Sequence, residues 1–170
     1  MIYEFCAENV TLLEKAMQAG ARRIELCDNL AVGGTTPSYG VTKAAVELAS
    51  NYDTIIMTMI RPRGGDFVYN DLEIDIMLED IRLTAHAGSQ GVVFGTLTAD
   101  KKLDKPNLEK LIAASKGMEI VFHMAFDELS DEDQLEAIDW LSQAGVTRIL
   151  TRAGVSGDSL EERFAHYHRI

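Results

Sequence analysis

The side chains best suited to chemistry in this chain are two cysteines, two arginines around a proline, and a histidine four residues ahead of an aspartate. Cys6 closes the stretch "EFC" and Cys27 closes "RIELC". Each reads as the end of a short apolar strand. If these strands are parallel neighbours, about 4.8 Å apart, thiolates at matching heights share one ion. Thiolate is a soft donor and selects soft ions. Free cysteine is equally at home as a small buried hydrophobe, so the residues alone leave both readings open. His123 is the candidate for a third ligand.

The segment "MIRPRGGDF" (Met59–Phe67) raises a second possibility. Arg61 and Arg63 flank Pro62, whose ring fixes one backbone angle and stiffens the turn. A guanidinium is a planar fork suited to carboxylate or phosphate oxygens. The pattern predicts Arg61, Arg63 and Asp66 at a ligand-binding mouth. The competing reading pairs an arginine with Glu4 and Glu25 on strands at similar depth, because buried charges need partners. The expected division is Arg61 inward and Arg63 toward a ligand. His123 with Asp127 suggests a general acid or base oriented by a carboxylate, with Glu25 as a second proton-handling group. "GGTTPSYG" (Gly33–Gly40) supplies hydroxyls and glycines but lacks the G-K-[ST] of a phosphate-binding loop.

These residues need a scaffold, and a faint repeat supplies one. "AGARRI" (Ala19–Ile24), "AGSQGV" (Ala87–Val92) and "AGVTRI" (Ala144–Ile149) each place Ala-Gly ahead of an apolar run. Glycine just past a helix end takes the left-handed conformation, and the following run reads as a strand. Strands are expected at Ile2–Cys6, Arg23–Cys27, Thr54–Ile60, Gly91–Phe94, Glu119–His123 and Arg148–Leu150. Helices are expected at Val10–Ala19, Thr42–Ser50, Asp71–Ala87, Leu108–Lys116, from Ser130 through Leu141, and at Leu160–His168. Ser130-x-x-Asp133 is a capping-box variant.

Alternating βα units imply a parallel sheet covered by helices, either doubly wound or a (β/α) barrel. No G-x-G-x-x-G opens the first βα turn, which weakens the dinucleotide-binding alternative. Polar residues recur at strand C-terminal ends: Cys6, Cys27, Arg61, His123 and Thr151. Barrels build their sites there. The expectation is a single α/β domain over 1–170, of the (β/α)8 TIM-barrel type, with about six units present and the last two missing.

The chain carries a formal net charge of −11, with 46% hydrophobic residues. There is no basic stripe to neutralise phosphates, so neither nucleic acid nor an anionic membrane is an expected partner. The longest apolar run is too short for a membrane span, and the N-terminus lacks the basic and apolar regions of a secretory signal. The expected location is the cytoplasm. Two cysteines do not make a disulfide framework, and neither C-x-x-C nor H-E-x-x-H occurs. The partners left are a metal ion or a small anion; a homo-oligomer stays open.

Taken together, "RIELCDNLAVGGTTPSYG", "IRPRGGDFVY", "GVVFGTLTAD" and "FHMAFD", with the flanking "EFC" and "RILT", closely resemble the copper homeostasis protein CutC family. The resemblance runs in order along essentially the whole chain. It implies a (β/α)8 barrel, a cytoplasmic location and a role in copper handling, with no firmly assigned reaction. It also implies Cu(I) as the ion and Cys6 and Cys27 as its ligands, since both match cysteines proposed as copper ligands in relatives. Three features depart from the family: Met124 where arginine is usual, "TRAG" (Thr151–Gly154) in place of a shorter turn, and the absence of the glycine-rich segment and last two strands. Two expectations follow. One is a cytosolic copper-homeostasis protein binding Cu(I) through strand-end cysteines. The other is a barrel enzyme acting on a small anionic metabolite, with arginine anchors and a His/Glu acid–base pair.

Overall fold

The computed structural model describes residues 2–153 and positions 159, 161 and 165. Six parallel strands follow one another across the sheet: β1 (Glu4–Glu8), β2 (Arg23–Cys27), β3 (Ile55–Met59), β4 (Gly91–Phe94), β5 (Glu119–Phe122) and β6 (Arg148–Ile149). Between them run α1 (Leu13–Gln18), α2 (Tyr39–Ala49), α3 (Asp71–Ala87), α4 (Lys105–Ala114) and α5 (Asp131–Gln143). Spatial order equals chain order, so the winding never reverses, as it must in a doubly wound sheet. The sheet is therefore an incomplete α/β barrel, curled with its helices outside. The expected helix Leu160–His168 falls largely outside the described residues.

Local sequence explains where the helices start and stop. Asn70 and Glu73 form a reciprocal capping box on α3, and Ser130 accepts from the Asp133 amide while its hydroxyl donates to the Asp133 carboxylate. Ser38 caps α2, which opens at Tyr39 rather than at the expected Thr42. Helix α1 starts at Leu13 rather than Val10, because Asn9 and Leu12 take positive φ and break the turn before it. The repeated Ala-Gly pairs end helices as anticipated: Gly20, Gly88 and Gly145 all have φ between +89° and +96°, a conformation costly for other residues.

Alternation along each strand divides the core in two. Outward-facing Ile24, Leu26, Ile56, Val92, Phe94, Ile120 and Phe122 lie beneath the helices. Facing inward, Cys27, Met57, Met59, Val93 and Val121 make a separate cluster lining the barrel axis. The inner lining is thus rich in sulfur as well as apolar.

Strand β1 differs from its expected span. It begins at Glu4 and runs to Glu8, leaving Ile2 and Tyr3 exposed. Cys6 consequently sits mid-strand and faces Glu25, while Cys27 faces Glu8. The two cysteines are offset by two residues instead of level, because the β1–β2 register pairs Glu4 with Arg23.

Candidate functional site

The offset still brings the thiols together. Residues two apart on a strand share a face, so Glu25 and Cys27 both point inward from β2, and Cys6 joins them from β1. The ligand atoms of Cys6, Glu25 and Cys27 all lie within 4.8 Å of one another. Among the described residues, no other trio of histidine, cysteine or acidic side chains gathers this closely. His123, the expected third ligand, is not a member; Glu25 takes that place. The i, i+2 spacing of Glu25 and Cys27 is the sequence signal that would have found it.

Cys6 is exposed and Cys27 is buried, so the cluster has an open and a closed end. Gly34, from the loop after β2, passes over the closed end. A Cβ on it would stand 3.1 Å from the Cys27 sulfur, so the loop can lie this close because it carries no side chain there. The contact with Cys6 and burial both push the Cys27 thiol far up in pKa, helped by the nearby Glu25 charge. Burial raises Glu25 as well, against the contact with Cys6, which lowers it. One Glu25 oxygen, Oε1, is buried with no hydrogen-bond partner. Without a cation, this cluster favours the protonated thiol at Cys27.

Arg61 emerges just past β3 and turns inward, but its partners are not carboxylates. Its Nη1 donates to the carbonyls of Val32 (2.8 Å) and Gly34 (3.0 Å), and its Nη2 to that of Gly65 (2.7 Å). The Thr36 hydroxyl accepts from its backbone amide. Arg61 therefore ties the loop after β2 to the loop after β3. The expected pairing with Glu4 or Glu25 is not made. Glu4 is held by Arg23 (3.2 Å), which stands directly opposite it in the ladder, whereas Arg61 lies past the strand end at loop height.

Arg63 is engaged rather than presented to a ligand. Its Nε donates to Glu73 (2.5 Å) and its Nη1 lies 3.0 Å from Asp66. It also donates to the carbonyls of Gly64, Asp66 and Val68. Pairing with Arg63 holds the Glu73 and Asp66 carboxyls below their ordinary range. The structure thus places Arg63 and Asp66 in a brace that fastens the loop after β3 to the start of α3.

His123 is 1% exposed and sits just past the C-terminal end of β5. Its Nδ1 accepts from the Ala125 amide (3.2 Å), which assigns the ring proton to Nε2. Nε2 is buried and has no partner. Burial first, and the Arg61 charge second, depress its pKa to about 3. Asp127 does not orient this ring. Its carboxylate accepts from the Thr151 hydroxyl (2.5 Å) and the Arg152 amide (2.9 Å), holding the loop after β6. The short 3-10 turn Met124–Glu128 is capped by His123 itself and carries Asp127 toward that loop. Met124 meets the Arg152 guanidinium through its sulfur at 2.9 Å.

Sequence reasoning missed Phe67 and Tyr69, which close the space around Arg61 and His123. The Phe67 ring lies 4.9 Å from the Arg61 guanidinium and 4.8 Å from the His123 ring. Tyr69 is buried and its hydroxyl has no partner. Both belong to the "RPRGGDFVY" segment, where two apolar-to-aromatic residues in a polar turn were the available signal. A cleft of about 500 Å3 lies elsewhere, between α5 and β6, lined by Phe126, Ile138, Leu141, Val146, Arg148 and Ile149. Thr151, the partner of Asp127, lines it as well, whereas Cys6, Glu25, Cys27, Arg61 and His123 do not. No helix among the described residues is long and apolar enough to cross a membrane.

Comparison with known proteins identifies the family and the fold. The sequence profile of the CutC family matches residues 1–164. A CutC family protein of Enterococcus faecalis is 54% identical over 170 residues, covering 100% of this chain and 81% of that protein. The human copper homeostasis protein cutC homolog is 41% identical over 160 residues, covering 94% of this chain and 56% of that protein. Among solved structures, one described as a copper homeostasis protein CutC from Streptococcus agalactiae superposes with a TM-score of 0.93 at 47% identity. It covers 98% of this chain and 79% of that chain. An archaeal fructose 1,6-bisphosphate aldolase superposes at a TM-score of 0.63 with 16% identity, covering 92% of this chain and 61% of that one, a likeness of fold alone.

Proposed function

The chain belongs to the CutC family, and from that premise we propose that it handles copper in the cytosol by taking up Cu(I) at the Cys6–Glu25–Cys27 cluster. The observation that carries the reading is the convergence of two thiols and a carboxyl within 4.8 Å in a sulfur-lined barrel interior. Soft sulfur donors fit Cu(I), whereas Mg2+ and Ca2+ prefer sites made of oxygen. A cluster with two sulfurs and one carboxyl is therefore suited to copper more than to the hard cations.

Copper is the cargo, and the chain's own residues set how it is received. Cys6, at the exposed end, meets an incoming ion first. Cys27, buried beneath Gly34, holds it from within. A metal-bound cysteine is a thiolate, so binding must expel the proton that burial and Cys6 keep on Cys27. Glu25 contributes the only carboxyl of the cluster and can balance the cation's charge or receive a proton from Cys6.

The test is a Cu(I) competition titration against a chromophoric chelator under reducing conditions, with metal per chain measured on the product. Stoichiometric uptake lost in both Cys6→Ser and Cys27→Ser is the expected result. Wild-type affinity in both variants would overturn the reading.

A further inference from the structure

Arg61 is a buried cation with no carboxylate. Its relative exposure is 3%, and it takes part in none of the ion pairs among the described residues. Buried charges are ordinarily paired. Three carbonyls occupy its Nη atoms, but Nε is buried without a partner. Two more unpartnered polar atoms belong to its neighbours: Nε2 of His123 and the hydroxyl of Tyr69. Unpaired groups at such burial are uncommon and call for a cause.

The three are linked in space. Phe67 touches both the Arg61 guanidinium (4.9 Å) and the His123 ring (4.8 Å). Tyr69 follows Phe67 by two residues on the same segment, and its ring lies 5.2 Å from the Arg63 guanidinium. Gly95 packs its backbone directly against the imidazole and fixes the ring, since a Cβ there would stand 2.7 Å from two of the ring atoms.

Two of these groups can only donate: Arg61 Nε–H and, with Nδ1 committed to the Ala125 amide, His123 Nε2–H. The Tyr69 hydroxyl can donate or accept. The two N–H groups cannot satisfy each other, so their complement is an acceptor, and beside a guanidinium with no carboxylate an anionic one is favoured. We propose that Arg61, Tyr69 and His123 form a binding site for a small organic anion, a carboxylate or a phosphate ester, at the mouth of the half-barrel between β3 and β5. The guanidinium supplies the charge, and imidazole and phenol fix the oxygens. The Phe67 ring backs the carbon skeleton. This site is distinct from the Cys6–Glu25–Cys27 cluster, and its existence does not depend on copper.

The test uses the whole chain with two probes, malonate and inorganic phosphate, each titrated calorimetrically and followed through the His123 side-chain N–H resonance. Saturable binding of either probe with a shift of that resonance is expected, and whichever binds identifies the ligand class. His123→Asn retains an acceptor for the Ala125 amide but no donor at Nε2, and Tyr69→Phe removes only the hydroxyl. Each should weaken binding about tenfold, equivalent to about 1.4 kcal/mol, while Arg82→Gln, at an exposed arginine paired with Glu79 on α3, leaves it unchanged. If His123→Asn does not fold, Tyr69→Phe decides. Failure of both probes to saturate, wild-type affinity in the His123 and Tyr69 variants, or a matching loss in Arg82→Gln would each overturn the proposal.

Discussion

Cys6 stands directly opposite Glu25 across the β1–β2 ladder, and the side chains of both reach the Cys27 thiol one inward position further along β2. Three groups whose ligand atoms lie within 4.8 Å of one another are therefore fixed by backbone register and do not depend on flexible loops. The consequences for binding, acid stability and loop anchoring can be measured separately.

Replacing either cysteine with serine should weaken Cu(I) binding by more than the roughly 10–100-fold that outer-shell partners of a metal cost, because a ligand itself is lost. The fold should be little affected by Cys6→Ser, since Cys6 is exposed. Chelator competition reports affinity, and urea denaturation of the metal-free variants confirms that the fold is intact.

Copper uptake should release protons and strengthen as pH rises. Cys27 is held as a thiol by Cys6 and by burial, so its proton must leave when the ion enters. Calorimetry in buffers of different ionisation enthalpy counts that release. An affinity independent of pH between 6 and 8 would contradict thiolate ligation by Cys27. Glu25→Gln should raise the melting temperature of the metal-free protein at neutral pH. A raised folded-state carboxyl pKa favours folding only at low pH, and that contribution is lost as pH rises through the folded value.

His123 should make the protein acid-labile. Its folded pKa, about 3, lies below the ordinary value of 6.5, so the unfolded chain binds a proton in the interval that the folded chain refuses. The stability present above pH 6.5 is progressively lost as pH falls toward 3, by on the order of 5 kcal/mol at the limit. His123→Asn removes this group and should flatten the acid limb of stability against pH, measured by urea denaturation at successive pH values.

Arg61→Met should destabilise the protein by at least about 3 kcal/mol, because three charge-assisted bonds to the carbonyls of Val32, Gly34 and Gly65 are lost and those acceptors stay partly buried. Arg63→Gln, at an arginine 38% exposed in its side chain, should cost much less, within about 1 kcal/mol. Chemical denaturation distinguishes a strap between two loops from a surface brace.

Most of the architecture follows from local rules. The Ala-Gly pairs, the Ser130 and Asn70 caps and the short apolar runs place helices α1 to α5 and strands β1 to β6 in alternation among the described residues. Spacing within a few residues is enough to specify such elements, because caps, C-terminal glycines and period-two or helical patterns act over one turn or one strand. The pairing of charges was less legible. Arg61 and Arg63 are two residues apart and chemically identical, yet one binds carbonyls of two loops and the other binds Glu73 and Asp66. Nothing in a stretch of nine residues says which carboxylate or carbonyl another part of the chain will bring near.

The sequence by itself determined the parallel βα alternation, the family resemblance, and the supply of two thiols, an inward glutamate and a strand-end histidine. The tertiary structure decided which of them meet. Starting β1 at Glu4 set Cys6 against Glu25 instead of Cys27. The turn after β5 sent Asp127 to Thr151 and left the His123 Nε2–H unmatched. The reason is that a strand or cap is stabilised by neighbours along the chain. A binding site depends on register and loop paths, and a shift of one residue there turns a side chain to the opposite face.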